Sequence, residues 1–128
     1  MNFSEAIQSG FNNYARISGR ASRSAFWYWV LFVWLGGFGA GIVDMAMFGY
    51  DSIYPFSSIF TLATIIPNLT VSVRRLHDTG RTGWWLLIWF IPIIGFIILL
   101  IWFIQQGEPG ANEYGPDPLD GVLAPIRP

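Results

Sequence analysis

Cysteine and lysine are both absent from this chain of 128 residues. Without cysteine there are no disulfides, no thiolate metal sites and no thiol nucleophile. Without lysine, positive charge rests on seven arginines alone, and their planar forks grip phosphate with two prongs as an ammonium cannot. Charge of either sign is scarce, at 12% of residues, where a soluble domain carries about 25%. A soluble protein this small has too much surface to cover with so few charges. The 53% hydrophobic fraction therefore points to lipid as the solvent. A net charge of −1 gives no bulk attraction to nucleic acid, so no nucleic-acid partner is expected. With one histidine and no cysteine, only scattered carboxylates remain as ligands, and neither a metal nor a cofactor is expected.

What the chain has in abundance is long apolar runs. Ala25–Val43, Ser52–Val73 and Trp84–Ile104 are 19, 22 and 21 residues without a charge. A helix crosses the hydrocarbon core with roughly 20 residues, and backbone groups in lipid must be satisfied within their own segment. The expected fold class is therefore all-α and integral to the membrane, with three transmembrane helices. The third run carries Pro92 and Gly95, and two readings follow: a single kinked span, which is preferred, or a re-entrant hairpin that returns the tail to its starting side.

Arg16, Arg20 and Arg23 precede the first run, and Arg74, Arg75 and Arg81 follow the second. Two crossings put both clusters on one side, which the positive-inside rule makes cytoplasmic. Asp44, Asp51, Glu108, Glu113, Asp117 and Asp120 then fall on the opposite side, with the C-terminus. Residues 1–24 form a cytoplasmic amphipathic segment and do not read as a cleavable signal. Asn2 and Glu5 have capping-box spacing, and Phe3, Ile7, Phe11 and Tyr14 make one apolar stripe. Such a helix lies in the headgroup plane or packs on the cytoplasmic hairpin. Residues 25–106 form the transmembrane domain. Residues 107–128 form a polar tail of turn chemistry, expected to be loose past Asp120.

The most charged stretch, RRLHDTGRTGWW (residues 74–85), lies between two of the most apolar ones. Arg74 and Arg75 complement a helix C-terminus, Gly80 suits a left-handed helix end, and Thr82 suits an N-cap. Trp84 and Trp85 suit headgroup depth. A topology anchor thus accounts for most of the stretch, but not for His77 and Asp78 or for the exclusive use of arginine. Arg20, Arg23, Arg74, Arg75 and Arg81 are the candidate phospholipid-phosphate site, with anionic membrane lipids as expected partners. Asp78 is expected to pair with an arginine across the two clusters, and His77 to bond to backbone or water. The two are sequence neighbours that diverge on a helix, no nucleophile motif accompanies them, and no enzymatic activity is expected.

Several motifs together carry a resemblance. They are Gly19-Arg20-Ala21-Ser22-Arg23 running into Phe26-Trp27-Tyr28, then Pro67, then Arg74 through Gly80, then Gly83-Trp84-Trp85, and finally Gly110 through Pro118. In this order, over Phe11 to Pro118, the chain resembles the bacterial inner-membrane family of unknown function numbered 805, the YhaH-like proteins. The resemblance implies a small multi-pass protein of the bacterial cytoplasmic membrane and implies no activity or catalytic residues. Ala25 departs from the pattern, in which a polar or acidic residue is expected before the aromatics.

Within the first run, Gly37 and Gly41 let backbones approach closely, against another span of the chain or in a homo-oligomer. Pro67 and Pro92 are expected helix kinks, with Asn68, Thr70 and Ser72 near the former. The tail Asn112–Pro118 matches no calcium loop. The leading expectation is a non-enzymatic membrane interaction protein that binds anionic lipid or a membrane protein partner through its arginine-rich cytoplasmic face. A subunit of a transport or channel assembly is the alternative, and a lipid-modifying enzyme the third.

Overall fold

The computed structural model describes residues 2–50 and 53–119, and every regular element among them is helical. These elements are α1 (Phe3–Asn12), α2 (Arg23–Phe48), α3 (Pro55–Asp78), a 3-10 helix (Gly83–Phe90) and α4 (Ile94–Ile104). Asp51, Ser52 (the expected start of the second run) and everything from Asp120 on, Arg127 included, lie outside the described residues.

At 1.5 Å per residue, α2 and α3 are about 39 and 36 Å long, enough to cross a hydrocarbon core of about 30 Å. Both outrun the uncharged stretches that predicted them. Ser22 caps α2 through the Ala25 amide at 3.2 Å, and Gly49 ends the helix at φ +81. Pro55 takes the first turn of α3, and its cap residue Tyr54 offers the helix no side-chain bond. The carboxylate of Asp44, on the last turns of α2, supplies one: its two oxygens accept the Phe56 and Ser57 amides, each at 2.9 Å. Asp44 is thus a buried helix residue and not part of a loop.

The two long helices are antiparallel. Gly36 of α2 faces the Phe60 ring of α3 so closely that a β-carbon would lie 2.3 Å from it, and the Trp29 indole N–H donates to the Asn68 side-chain Oδ1 at 2.7 Å. The core, Ala21, Ala25, Phe26, Trp29 and Val71, gathers toward the end where α2 begins and α3 finishes. Toward the other end large apolar side chains face outward, Trp34 and Phe38 among them at 76% and 74% exposed. A soluble monomer does not present such a sheath.

Helix α1 opens with both bonds of the capping box, Glu5 amide to Asn2 at 2.8 Å and Asn2 amide to Glu5 at 3.1 Å. It packs along α2 and touches α3, without reaching the 3-10 helix or α4. The contact centres on the small residues Ala6 and Gly10, with the Trp29 ring seated on Gly10. Phe3 and Phe11 of the predicted stripe meet Tyr28 and Trp29 edge-on.

The expected single kinked helix over Trp84–Ile104 is not what forms. The chain folds back at residues 91–93, and Trp85 meets Trp102, and Trp89 meets Phe96, ring to ring at 5.5 Å. Pro92 sits in this turn, and Ile93 takes φ +66, a strained value for a β-branched residue. Gly95 permits the return: a β-carbon there would fall 1.7 Å from the Ile88 carbonyl oxygen. Eight 3-10 residues and eleven α residues each span about 16 Å, near half the hydrocarbon core. The two arms are matched: α4 ends beside the start of α2, where Trp27 donates to the Phe103 carbonyl, and the 3-10 helix starts at Gly83 against Val73 near the end of α3. The tail, expected on the side opposite the arginine clusters, packs against them.

Candidate functional site

The final turn of α3 belongs to a helix and not to a surface turn. Arg75, Leu76 and Asp78 are at most 1% exposed. The helix ends at Gly80, φ +80, with Gly80 donating to His77 and Arg81 to Leu76. Those two crossed bonds close a helix in the way only a left-handed residue allows.

Asp78 is the hub. One of its oxygens takes Arg20 Nε at 2.9 Å and the other takes Arg75 Nη1 at 2.6 Å, with all three side chains at most 2% exposed. The pair across the two clusters, Arg20 and Asp78, is 58 residues apart in sequence. The remaining guanidinium donors go to carbonyl oxygens. Arg20 reaches Gly110 at 2.6 Å and also Glu108. Arg75 reaches Ala21 and Phe103 at 3.1 Å and also Gln105. Gly107 passes so near that a β-carbon would sit 2.0 Å from Asp78 Oδ2. One carboxylate and two arginines thereby pin the start of α2, the end of α3, the end of α4 and the tail together. Charge-assisted bonds of this kind are the strong ones, and a buried pair broken on one side costs several kcal/mol.

His77 Nδ1 lies 2.9 Å from the Gly19 carbonyl oxygen. Its ring stacks flat on Tyr114 at 4.2 Å, and its own carbonyl accepts from Asn112 at 2.9 Å. Burial, with the Glu113 carboxylate beside it, pushes the Tyr114 phenol above its ordinary range. Asp117 orders the tail by accepting the Gly110 and Leu119 amides, each at 2.9 Å.

The five candidate phosphate-binding arginines therefore separate. Arg20 and Arg75 are held by Asp78 and carbonyls. Arg23 donates to Ile104 at 3.4 Å beside a shallow groove of about 400 Å³ lined by Ser24, Trp27 and Tyr28. Arg81 lies 4.4 Å over the Trp102 ring and donates to Gln105 at 3.1 Å. Arg74 is only 5% exposed, yet its Nε and Nη2 have no hydrogen-bond partner among the described residues.

Thr82 occupies the position before the 3-10 helix without the expected cap bond from its side chain. Trp84 is exposed and Trp85 half-exposed. A β-carbon added at Gly41 would make ordinary contact with Ser57 and one at Gly37 would stand 4.0 Å from Phe60, so the close approach falls on Gly36. Pro67 is buried inside an unbroken α3, Asn68 accepts from Trp29, and Thr70 donates to the Tyr14 carbonyl oxygen at 3.0 Å. Among the described residues no three histidine, aspartate or glutamate side chains gather as metal ligands. The roles of Gly107, Gly10 and Asp44 were missed; close packing on a glycine or a cap from another helix has no local sequence signal.

A family model described as a protein of unknown function (DUF805) matches residues 14–116. Inner membrane protein YhaI of Escherichia coli (strain K12) is 39% identical over 113 residues, covering 88% of this chain and 94% of that protein. Inner membrane protein YhaH of the same strain is 36% identical over 110 residues, 83% of this chain and 89% of YhaH. Uncharacterized protein YiiR is 29% identical over 91 residues, 70% of this chain and 53% of YiiR. No solved structure matches the chain.

Proposed function

This chain belongs to the DUF805 family, and on that premise we propose that it is a non-enzymatic inner-membrane protein whose arginine end associates with anionic lipid. The names of YhaI and YhaH support the location. Helices α2 and α3 cross the bilayer, while the 3-10 helix and α4 enter it and return. The arginine end faces the cytoplasm by the positive-inside rule, and the tail through Leu119 lies on that same face.

One observation carries the reading: two clusters far apart in sequence converge, so that Arg20, Arg23, Arg74, Arg75 and Arg81 share one end of an apolar body. Each basic residue near an anionic surface adds about 1 kcal/mol of attraction. The groove of Arg23, Trp27 and Tyr28 sets a cation beside amphipathic rings, which favour headgroup depth. The transport alternative needs Asn68 and Thr70 along a path, and both are occupied within the fold. The enzyme reading needs Asp78 available, and two arginines occupy it.

Native mass spectrometry of protein released from bilayers containing phosphatidylglycerol tests this. Retained anionic lipid, reduced when Arg23 and Arg81 are both changed to glutamine, supports the reading. Retention equal to that from phosphatidylcholine bilayers removes it.

A further inference from the structure

Arg74 stands apart from the other buried arginines. Its side chain lines a cavity of about 260 Å³ between α1, the start of α2, the end of α3 and the tail at Pro118 and Leu119. Glu5, Ser9, Gly10, Ser22, Val71 and Leu119 are among its walls. The two nitrogens without partners, Nε and Nη2, form the side-on edge of the fork, two parallel N–H donors aimed the same way. A buried polar group left unpaired costs free energy, and a buried charge costs more. Among the described residues the neighbouring carboxylates do not relieve it: Asp78 is taken up by Arg20 and Arg75, and Asp117 by backbone amides. Glu5 is exposed, and its Oε1 accepts the Asn2 amide.

We infer that this cavity is a binding site for a phosphate group, taken by the Arg74 guanidinium with the Ser9 and Ser22 hydroxyls beside it. The side-on edge fits two oxygens of one oxyanion. The volume admits a phosphate monoester or a small headgroup. The phosphate comes either from a lipid headgroup or from a free phosphate compound. Only the first source rests on the proposed lipid association; the second needs no lipid.

The full-length protein in phosphatidylcholine nanodiscs is titrated with inorganic phosphate and with glycerol phosphate by calorimetry, and phosphatidylglycerol retention is read by native mass spectrometry. Arg74→Lys keeps the charge and removes the fork, so binding should weaken by roughly tenfold or more. Ser9→Leu fills the cavity without touching Arg74 and should weaken binding as well, which guards against a lysine variant that misfolds. Saturable binding of phosphate that both variants lose supports the site with a free ligand. Loss in both variants of one tightly retained phosphatidylglycerol, without phosphate binding, supports it with a lipid ligand. If anionic lipid is retained through Arg23 and Arg81 while Arg74→Lys and Ser9→Leu change nothing, the cavity site is overturned and the lipid association stands. Absence of all binding overturns both.

Discussion

The hydroxyl of Tyr14 donates to the carbonyl of Ala63 at 2.7 Å. Ala63 lies four residues before Pro67, and its carbonyl is the one that Pro67, having no N–H, leaves without a helical donor. In lipid no water can replace that donor, so a residue from outside the transmembrane pair completes the ladder of α3. Thr70 donates back to the Tyr14 carbonyl at 3.0 Å. The segment after α1 is thereby fastened to α3 at two points.

Tyr14→Phe should lower stability by roughly 0.6–2 kcal/mol, the range for polar bonds between membrane segments. Restoring the missing donor with Pro67→Ala should shrink that loss. Reversible unfolding in mixed micelles of the wild type, the two single variants and the double variant measures the coupling. Equal losses in both backgrounds would show that the hydroxyl does not serve the carbonyl Pro67 exposes.

Asp78→Asn should be far more damaging, by about 3 kcal/mol or more, because it strands Arg20 and Arg75 in a buried site. Gly107→Ala should act in the same direction by forcing the tail off the Asp78 carboxylate. The same unfolding assay reads both. A variant of either kind that unfolds like the wild type would mean that the hub is not what holds the four segments together.

Gly95→Ala should cost about 1–3 kcal/mol as an overpacked site, and at the upper end, because the added carbon meets the Ile88 backbone and not a movable side chain. Gly37→Ala, with its nearest neighbour 4.0 Å away, should be close to neutral. The contrast between two glycine changes in one unfolding experiment checks the fold-back directly.

The absence of cysteine makes topology easy to read. Tyr50→Cys should react with a membrane-impermeant thiol reagent applied outside intact spheroplasts, and Glu113→Cys should react only after lysis. Labelling of Glu113→Cys from outside would restore the third full crossing and remove the fold-back.

The features legible in the sequence were those set by neighbours in the chain. Asn2 with Glu5, Gly80 at a helix end and the apolar length of α2 and α3 each obey a local rule, and each appears. The hub was only half visible. The clustering of Arg20 with Asp78 follows from two crossings, but whether Arg74 or Arg75 turns toward that carboxylate depends on a helix continuing through residue 78. A charged stretch flanked by two apolar runs suggested a surface turn, because such charge normally ends a span. Its burial depends on partners from the tail, whose carbonyls at Glu108 and Gly110 carry no mark in their side chains. Pro92 and Gly95 allow a kink or a reversal, and the kinked single span is the preferred expectation because arms of about ten residues are too short to cross. Matched arms of about 16 Å decide between the two, and that requires the 3-10 rise, which the apolar pattern does not encode.

The fold-back also bears on how the protein enters its membrane. In the proposed topology, with both arms of the hairpin returning to the arginine end, the connection of residues 49–54 is the polar stretch that is carried through the lipid. Asp51 is its sole charge. On that topology the insertion machinery has a single short loop to translocate, and the arginine clusters and the tail through Leu119 assemble on the side where they were synthesised.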